Sequence, residues 1–402
     1  MSLIIHGPKI YADSGIIADG VLLIEEGRIH ACRGDRSIAE ADVTFPSTYS
    51  LIPGRIDLHV HGIAGVDVMD ATPAALTTMS RMLAQEGTTS FLATTMSMPV
   101  EAISAAIENV RRFMENKHHT GARILGLHLE GPFIAPDKMG AHQGEYLLPP
   151  DVELMRKWQT LAAGAIKLVT LAPELTGADS LIACLMALGI VPSIGHSNAS
   201  HSVALEAIHQ GCRHITHLFN AMSGLHHRSP GVALAALESH ALAEIIADGE
   251  HVSWEILKFV MRVKGPHELC VVTDSMRAKC MPDGKYLLGQ QDVFVKQGAA
   301  RLADGTLAGS VLTMEKAVQN LLTQGICDLP QSIHLCSINP AKQLGIFDKT
   351  GSIAPGKWAD VVVLDEKQHV VMTVCQGEII WVSQLVAQNK LKCVQTPSSL
   401  RD

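Results

Sequence analysis

Through the middle of the chain, short apolar runs alternate with longer segments whose hydrophobic positions recur every three or four residues. The runs Ile56–His61, Thr88–Thr94, Ile124–Glu130, Ile166–Ala172, Ile190–His196, His214–Leu218, Ala243–Ala247 and Leu269–Asp274 predict buried strands. Between several of them, Ala74–Gln85, Val100–Glu115, Ala178–Leu188 and Ser200–Gln210 carry the helical period. Eight such alternations over roughly 290 residues match the size of a (β/α)8 TIM-like barrel. A doubly wound sheet is the competing architecture, but no G-x-G-x-x-G opens a helix after the first strand. The chain ends read differently. Leu3–Ile5, Gly20–Glu25 and Arg28–Cys32 are short β-rich runs separated by turn residues, and the same style returns from about Gly351. There Gly356-Lys357-Trp358-Ala359-Asp360 leads into Val361–Leu364, and Val370–Ile380 follows. The expected organisation is a barrel over 53–345, with residues 1–52 and 346–402 joining in a small β-sandwich domain.

Composition narrows the setting. With 402 residues, 47% of them hydrophobic and only 18% charged, the chain can bury a large core. No apolar run approaches the ~20 residues that span a bilayer, so no membrane association is expected. The segment Met1–Ile10 has neither the basic nor the apolar region of a secretory signal. Nine cysteines, an odd number with no C-x-x-C pair, fit reduced thiols in a cytoplasm. A net charge of −8 argues against a nucleic-acid partner and requires a local basic pocket for any anionic ligand.

The chemistry gathers at the strand ends. His59 and His61 are two residues apart on a strand, so both rings leave the same face. Further apolar runs end on Glu130, His196, His217 and Asp274. Each has a plain structural alternative when taken singly: a salt-bridged rim glutamate, hydrogen-bonded rim histidines, an aspartate capping a helix. Their recurrence at the C-terminal ends of five strands points instead to one metal-dependent site, where such barrels carry chemistry. His6, His118, His119 and His209 lack this company and read as surface or core residues.

Six segments carry a resemblance: His59-Val60-His61-Gly62, His128-Leu129-Glu130-Gly131-Pro132-Phe133, Gly140-Ala141-His142, Gly195-His196-Ser197, Thr216-His217-Leu218-Phe219-Asn220-Ala221-Met222 and Thr273-Asp274. The chain is similar over nearly its whole length to the N-acetylglucosamine-6-phosphate deacetylases of the amidohydrolase superfamily. The segments around Glu130 and His217 are specific to those deacetylases; the paired histidines and Asp274 belong to the wider superfamily. The resemblance implies that Glu130, His196 and His217 hold the principal divalent metal, and that His59 and His61 form a second site sharing Glu130. One or two metals per subunit are therefore expected, zinc first, with iron, manganese or cobalt as alternatives. Asp274 would shuttle a proton between water and the leaving nitrogen. His142 would donate a hydrogen bond to the carbonyl oxygen; a plain loop histidine is the equal alternative.

The same resemblance implies a small amino-sugar phosphate as substrate. Asn220 and Ala221, with Ala141 and the Leu307-Ala308-Gly309 loop, would line the sugar. Arg228 and His251, with His227, would bind the phosphate, Arg228 reaching across from the neighbouring subunit of a homodimer. The competing activities are deacetylation of the galactosamine epimer and hydrolysis of a cyclic amide. The latter would call for a bridging lysine, and no lysine stands in the Glu130 place. A catalytically dead scaffold would be marked by lost ligands, yet every expected one is present.

Overall fold

The computed structural model describes residues 2–34, 41–116 and 121–384; His118, His119 and the end of the expected C-terminal β segment lie outside them. At the centre is an eight-stranded parallel sheet in chain order: Arg55–Val60, Thr88–Thr95, Arg123–Glu130, Ile166–Leu171, Val191–Ile194, His214–Ile215, Leu242–Ile245 and Leu269–Val271. These are barrel strands 1 to 8 below. The ring closes where the chain runs on past strand 8. The Asp274 N–H donates to the His59 carbonyl, and the His61 and Gly62 N–H groups donate to the Ser275 carbonyl, each at 2.9 Å. Val60 and Ser275 also form a parallel bridge. The fold is a (β/α)8 barrel of the TIM type.

Burial explains the sequence pattern. Every residue of strand 2, Thr88–Thr95, is buried, because one face fills the barrel and the other meets the helices. In the helix Val100–Glu115 the buried positions Ile103, Ala106, Ile107, Val110 and Phe113 recur at helical spacing. The helix Pro73–Ala84 starts where Thr72 accepts the Ala75 N–H on its side chain and Pro73 presets the first turn. The later strands are shorter than expected. His214–Leu218 gives only His214–Ile215, because the chain turns outward there to aim His217 at the barrel mouth.

The termini combine in two further sheets. One orders Glu378–Val382, Val370–Cys375, Val361–Leu364, Ser50–Pro53, Lys9–Ala12 and Gly15–Ile17, thereby mixing strands from both ends of the chain. The other orders Arg28–Arg33, Val21–Glu25, Ser2–His6 and Val43–Thr44. Val361 and Val363 enter the core between these sheets, while Val362 and Leu364 pack with Ile52 and Ile333. The continuous apolar run Val361–Leu364 is thus buried on both faces. The Asp360 carboxylate ties this sheet to barrel strand 3. It accepts from Arg123 Nη2 (2.9 Å), Thr350 Oγ1 (2.7 Å) and the Gln376 N–H (2.8 Å).

One feature was not anticipated from the sequence. Between strand 8 and the helix Met314–Thr323, the strands Gly284–Leu288, Gln291–Lys296 and Ala299–Arg301 form a small antiparallel sheet. Its Leu288, Val293, Val295 and Ala300 pack with Met96, Ala141, Met276 and Ala308 beside the barrel mouth.

Candidate active site

The barrel brings the strand-end residues to one place. His59 lies in strand 1 with His61 just after it, and Glu130 is the last residue of strand 3. His196, His217 and Asp274 follow the ends of strands 5, 6 and 8, and all three have left-handed backbone, with φ of 47°, 29° and 47°. Such a conformation costs a non-glycine residue energy and persists where surrounding structure imposes it, as at functional sites.

Glu130 Oε1 stands 3.1 Å from His196 Nε2 and 3.0 Å from His217 Nε2, and those two nitrogens are 3.0 Å apart. The other ring nitrogens face carbonyls: His196 Nδ1 donates to Lys138 O (2.8 Å) and His217 Nδ1 to Asn220 O (3.1 Å). A carbonyl only accepts, so each ring carries a proton on Nδ1, and the unprotonated Nε2 that a metal would require turns its lone pair toward Glu130. Two lone pairs and a carboxylate oxygen at this spacing repel one another without a cation between them. The donor set therefore fits a divalent metal.

Beside it, His61 Nε2 lies 3.1 Å from Glu130 Oε2, and His59 Nε2 lies 3.3 Å from Glu130 Oε1. The two imidazole Nε2 atoms are 3.2 Å apart, each 3.4 Å from Asp274 Oδ1. Burial works against charging these rings, yet Asp274 and Glu130 raise His61 to about 9. Burial likewise opposes ionisation of Asp274, but His59 and His61 hold its carboxyl below the usual range. This is an anionic pocket that favours a cation.

His142 has the opposite arrangement. Its Nδ1 accepts the Ser97 N–H (3.2 Å) and meets Ser97 Oγ at 2.8 Å, leaving the proton of the neutral ring on Nε2. Burial lowers its pKa to about 4, and its Nε2 sits 3.4 Å from Glu130 Oε2. His142 is thus a neutral donor facing the ligand cluster.

A cavity of about 300 Å³ opens over these groups and is lined in part by Ala141, Asn220, Ala221, His251, Leu307 and Gly309. Ala308 is fully buried in the same loop. His251 Nδ1 is 2.6 Å from Asp248 Oδ2. His227 and Arg228 stand outside this cavity, exposed and joined to each other at 2.7 Å.

Three contributors escaped the sequence reading. Glu244, fully buried on strand 7, accepts from His59 Nδ1 (3.0 Å), His214 Nε2 (3.0 Å) and the His217 N–H (2.9 Å). The signal was present, since a carboxylate inside Ala243–Ala247 is costly unless paired. Ser97 and Lys138 lie in loops with no pattern to flag them.

A His, Glu and Asp set at the C-terminal mouth of an eight-stranded barrel defines a metal-dependent hydrolase of the barrel type. The chain belongs to the amidohydrolase family, whose model matches residues 50–380. It is 42% identical to the N-acetylglucosamine-6-phosphate deacetylase of Bacillus subtilis, over 95% of this chain and 98% of that protein. To the N-acetylgalactosamine-6-phosphate deacetylase of Escherichia coli O157:H7 it is 34% identical, over 94% and 99%. Among solved structures it is similar to a Mycobacterium smegmatis N-acetyl-D-glucosamine-6-phosphate deacetylase variant in complex with N-acetyl-D-glucosamine-6-phosphate. That match has a TM-score of 0.88 and 30% identity, covering 95% of this chain and all of the other.

Proposed function

We propose that this protein hydrolyses the acetamide of N-acetyl-D-glucosamine 6-phosphate to D-glucosamine 6-phosphate and acetate. The observation that carries the reading is the convergence of Glu130, His196, His217, Asp274 and His142 on one cavity, in a chain collinear with deacetylases. The glucosamine epimer is preferred because identity to the B. subtilis deacetylase, 42%, exceeds the 34% to the galactosamine enzyme.

Glu130, His196 and His217 would hold the principal metal, zinc first among the candidates, with His59 and His61 as a second position sharing Glu130. When bound, a divalent metal supplies Lewis acidity that acidifies water and polarises a carbonyl. The chain's own groups do the rest. Asp274 takes the proton of the attacking water and returns it to the departing nitrogen, so that an amine leaves rather than an amide anion. His142, neutral and protonated on Nε2, donates to the carbonyl oxygen as it gathers charge. Ala141, Asn220, Ala221 and the Leu307-Ala308-Gly309 loop surround the sugar, and His251 receives the phosphate. The exposure of His227 and Arg228 supports their reaching the site of a second copy in a homodimer. Free thiols, most of them buried, suit a cytoplasmic enzyme.

Steady-state assays on both N-acetyl-hexosamine 6-phosphates, with metal content measured on the same samples, test this reading. The expected result is a higher kcat/KM on the glucosamine epimer. Turnover of neither compound by metal-loaded protein would overturn it.

A further inference from the structure

The proposed substrate carries a phosphate into a chain of net charge −8, toward a cavity that already holds the carboxylates Glu130, Asp137 and Asp274. Among the described residues lining that cavity, Lys138 is the one Lys or Arg residue. It is half-buried, and its ammonium makes no hydrogen bond or ion pair with any described residue. A cation without a partner at the wall of an anionic cavity is poised for an anionic ligand.

Lys138 also belongs to a strap with catalytic contents. Its carbonyl accepts from His196 Nδ1 at 2.8 Å. Two residues on, Gly140 runs so close to that ring that an added Cβ would meet His196 Cε1 at 3.3 Å. The strap then delivers His142, whose N–H donates to Met139 O (2.9 Å) and whose ring locks onto Ser97. Gln291 of the inserted sheet fastens the Ala141 carbonyl from outside at 2.9 Å.

Resting on the deacetylase reading, we infer that Lys138 is a specificity-determining residue contributed by the chain's own cavity. It takes the substrate phosphate and, by doing so, seats the strap that orients His142 and backs His196. Phosphate binding energy then serves turnover as well as affinity, because it fixes groups that act on the acetamide at the other end of the sugar.

Two measurements test this on the metal-loaded protein, using wild type, Lys138→Met and Lys138→Arg. The first is the ratio of kcat/KM for N-acetylglucosamine 6-phosphate to that for unphosphorylated N-acetylglucosamine. Loss of one charge-assisted contact should lower this ratio by about tenfold or more in Lys138→Met, with kcat and KM both affected, while Lys138→Arg keeps most of it. The second is calorimetric binding of inorganic phosphate, which needs no turnover and should weaken by a similar factor in Lys138→Met. Metal content should match wild type, because the Lys138 carbonyl that holds His196 is retained. An unchanged ratio with unchanged phosphate affinity would overturn the assignment. Wild-type inactivity on the phosphorylated sugar would instead count against the deacetylase reading, leaving phosphate binding to judge Lys138 alone.

Discussion

Asp274 stands on left-handed backbone just beyond the last barrel strand, with Oδ1 3.4 Å from both His59 and His61. An amide in its place preserves shape and hydrogen bonding but cannot accept a proton. Asp274→Asn should therefore keep metal content and substrate affinity while kcat falls by at least ~100-fold; near wild-type kcat would remove Asp274 from the mechanism. The proposed metal-holding residues divide in two. His196→Ala or His217→Ala should abolish turnover, whereas His59→Ala or His61→Ala should lower metal stoichiometry and leave partial activity, as elemental analysis beside kinetics would register. His142 sets a pH dependence. Burial places its folded-state pKa at about 4 against an ordinary 6.5, so between those values the unfolded chain binds more protons. Its contribution is full above about 6.5 and is lost as pH falls toward 4. Thermal melts over that window should decline less steeply for His142→Gln than for wild type; identical slopes would contradict a neutral buried ring. The groups behind these residues were less legible than the residues themselves. Paired histidines and strand-end acids announce themselves by type and spacing, whereas Ser97 acts partly through its N–H and Lys138 partly through its carbonyl, backbone groups that carry no mark in the sequence.

At the scale of elements, apolar runs predicted all eight barrel strands, because a strand buried on both faces leaves an unmistakable stretch such as Thr88–Thr95. The small sheet over Gly284–Arg301 was harder to see. Val293 and Val295 alternate with Asp292, exposed Phe294 and Lys296, but the three strands are short and lie in a barrel connection for which no element was read. Gly356-Lys357-Trp358-Ala359-Asp360 was visible as a motif without a stated role, and the structure supplies one. Asp360 is buried and receives Arg123, Thr350 and Gln376, with the Arg123 guanidinium 4.2 Å over the Trp358 ring. Asp360→Ala would strand the Arg123 charge at the junction of barrel strand 3 and the terminal sheet. A loss of about 3 kcal/mol in denaturant unfolding is expected, from removal of one partner of a largely buried pair. A change under ~0.5 kcal/mol would make the clamp incidental.

For the whole molecule, the question is how many chains make a site. Arg228 is exposed and lies outside its own cavity, which suits service in a neighbouring copy. A two-fold dimer would then hold two equivalent shared sites. Co-expressed Asp274→Ala and Arg228→Ala chains should recover activity, since one site of each heterodimer carries both defects and the other neither. Verified heterodimers no more active than the parents would make each site self-contained. The closure of the barrel has its own consequence. The hydrogen bonds that join the two ends of the ring run between the backbone of His59, His61 and Gly62 and that of Asp274 and Ser275, and the side chains of His59, His61 and Asp274 belong to the clustered site. A breach at that seam is therefore never mechanically silent: parting the staves there spreads the reactive groups in the same motion. Amide exchange at Asp274 would read both events at once, making the latch of the barrel a built-in gauge of whether the enzyme can work.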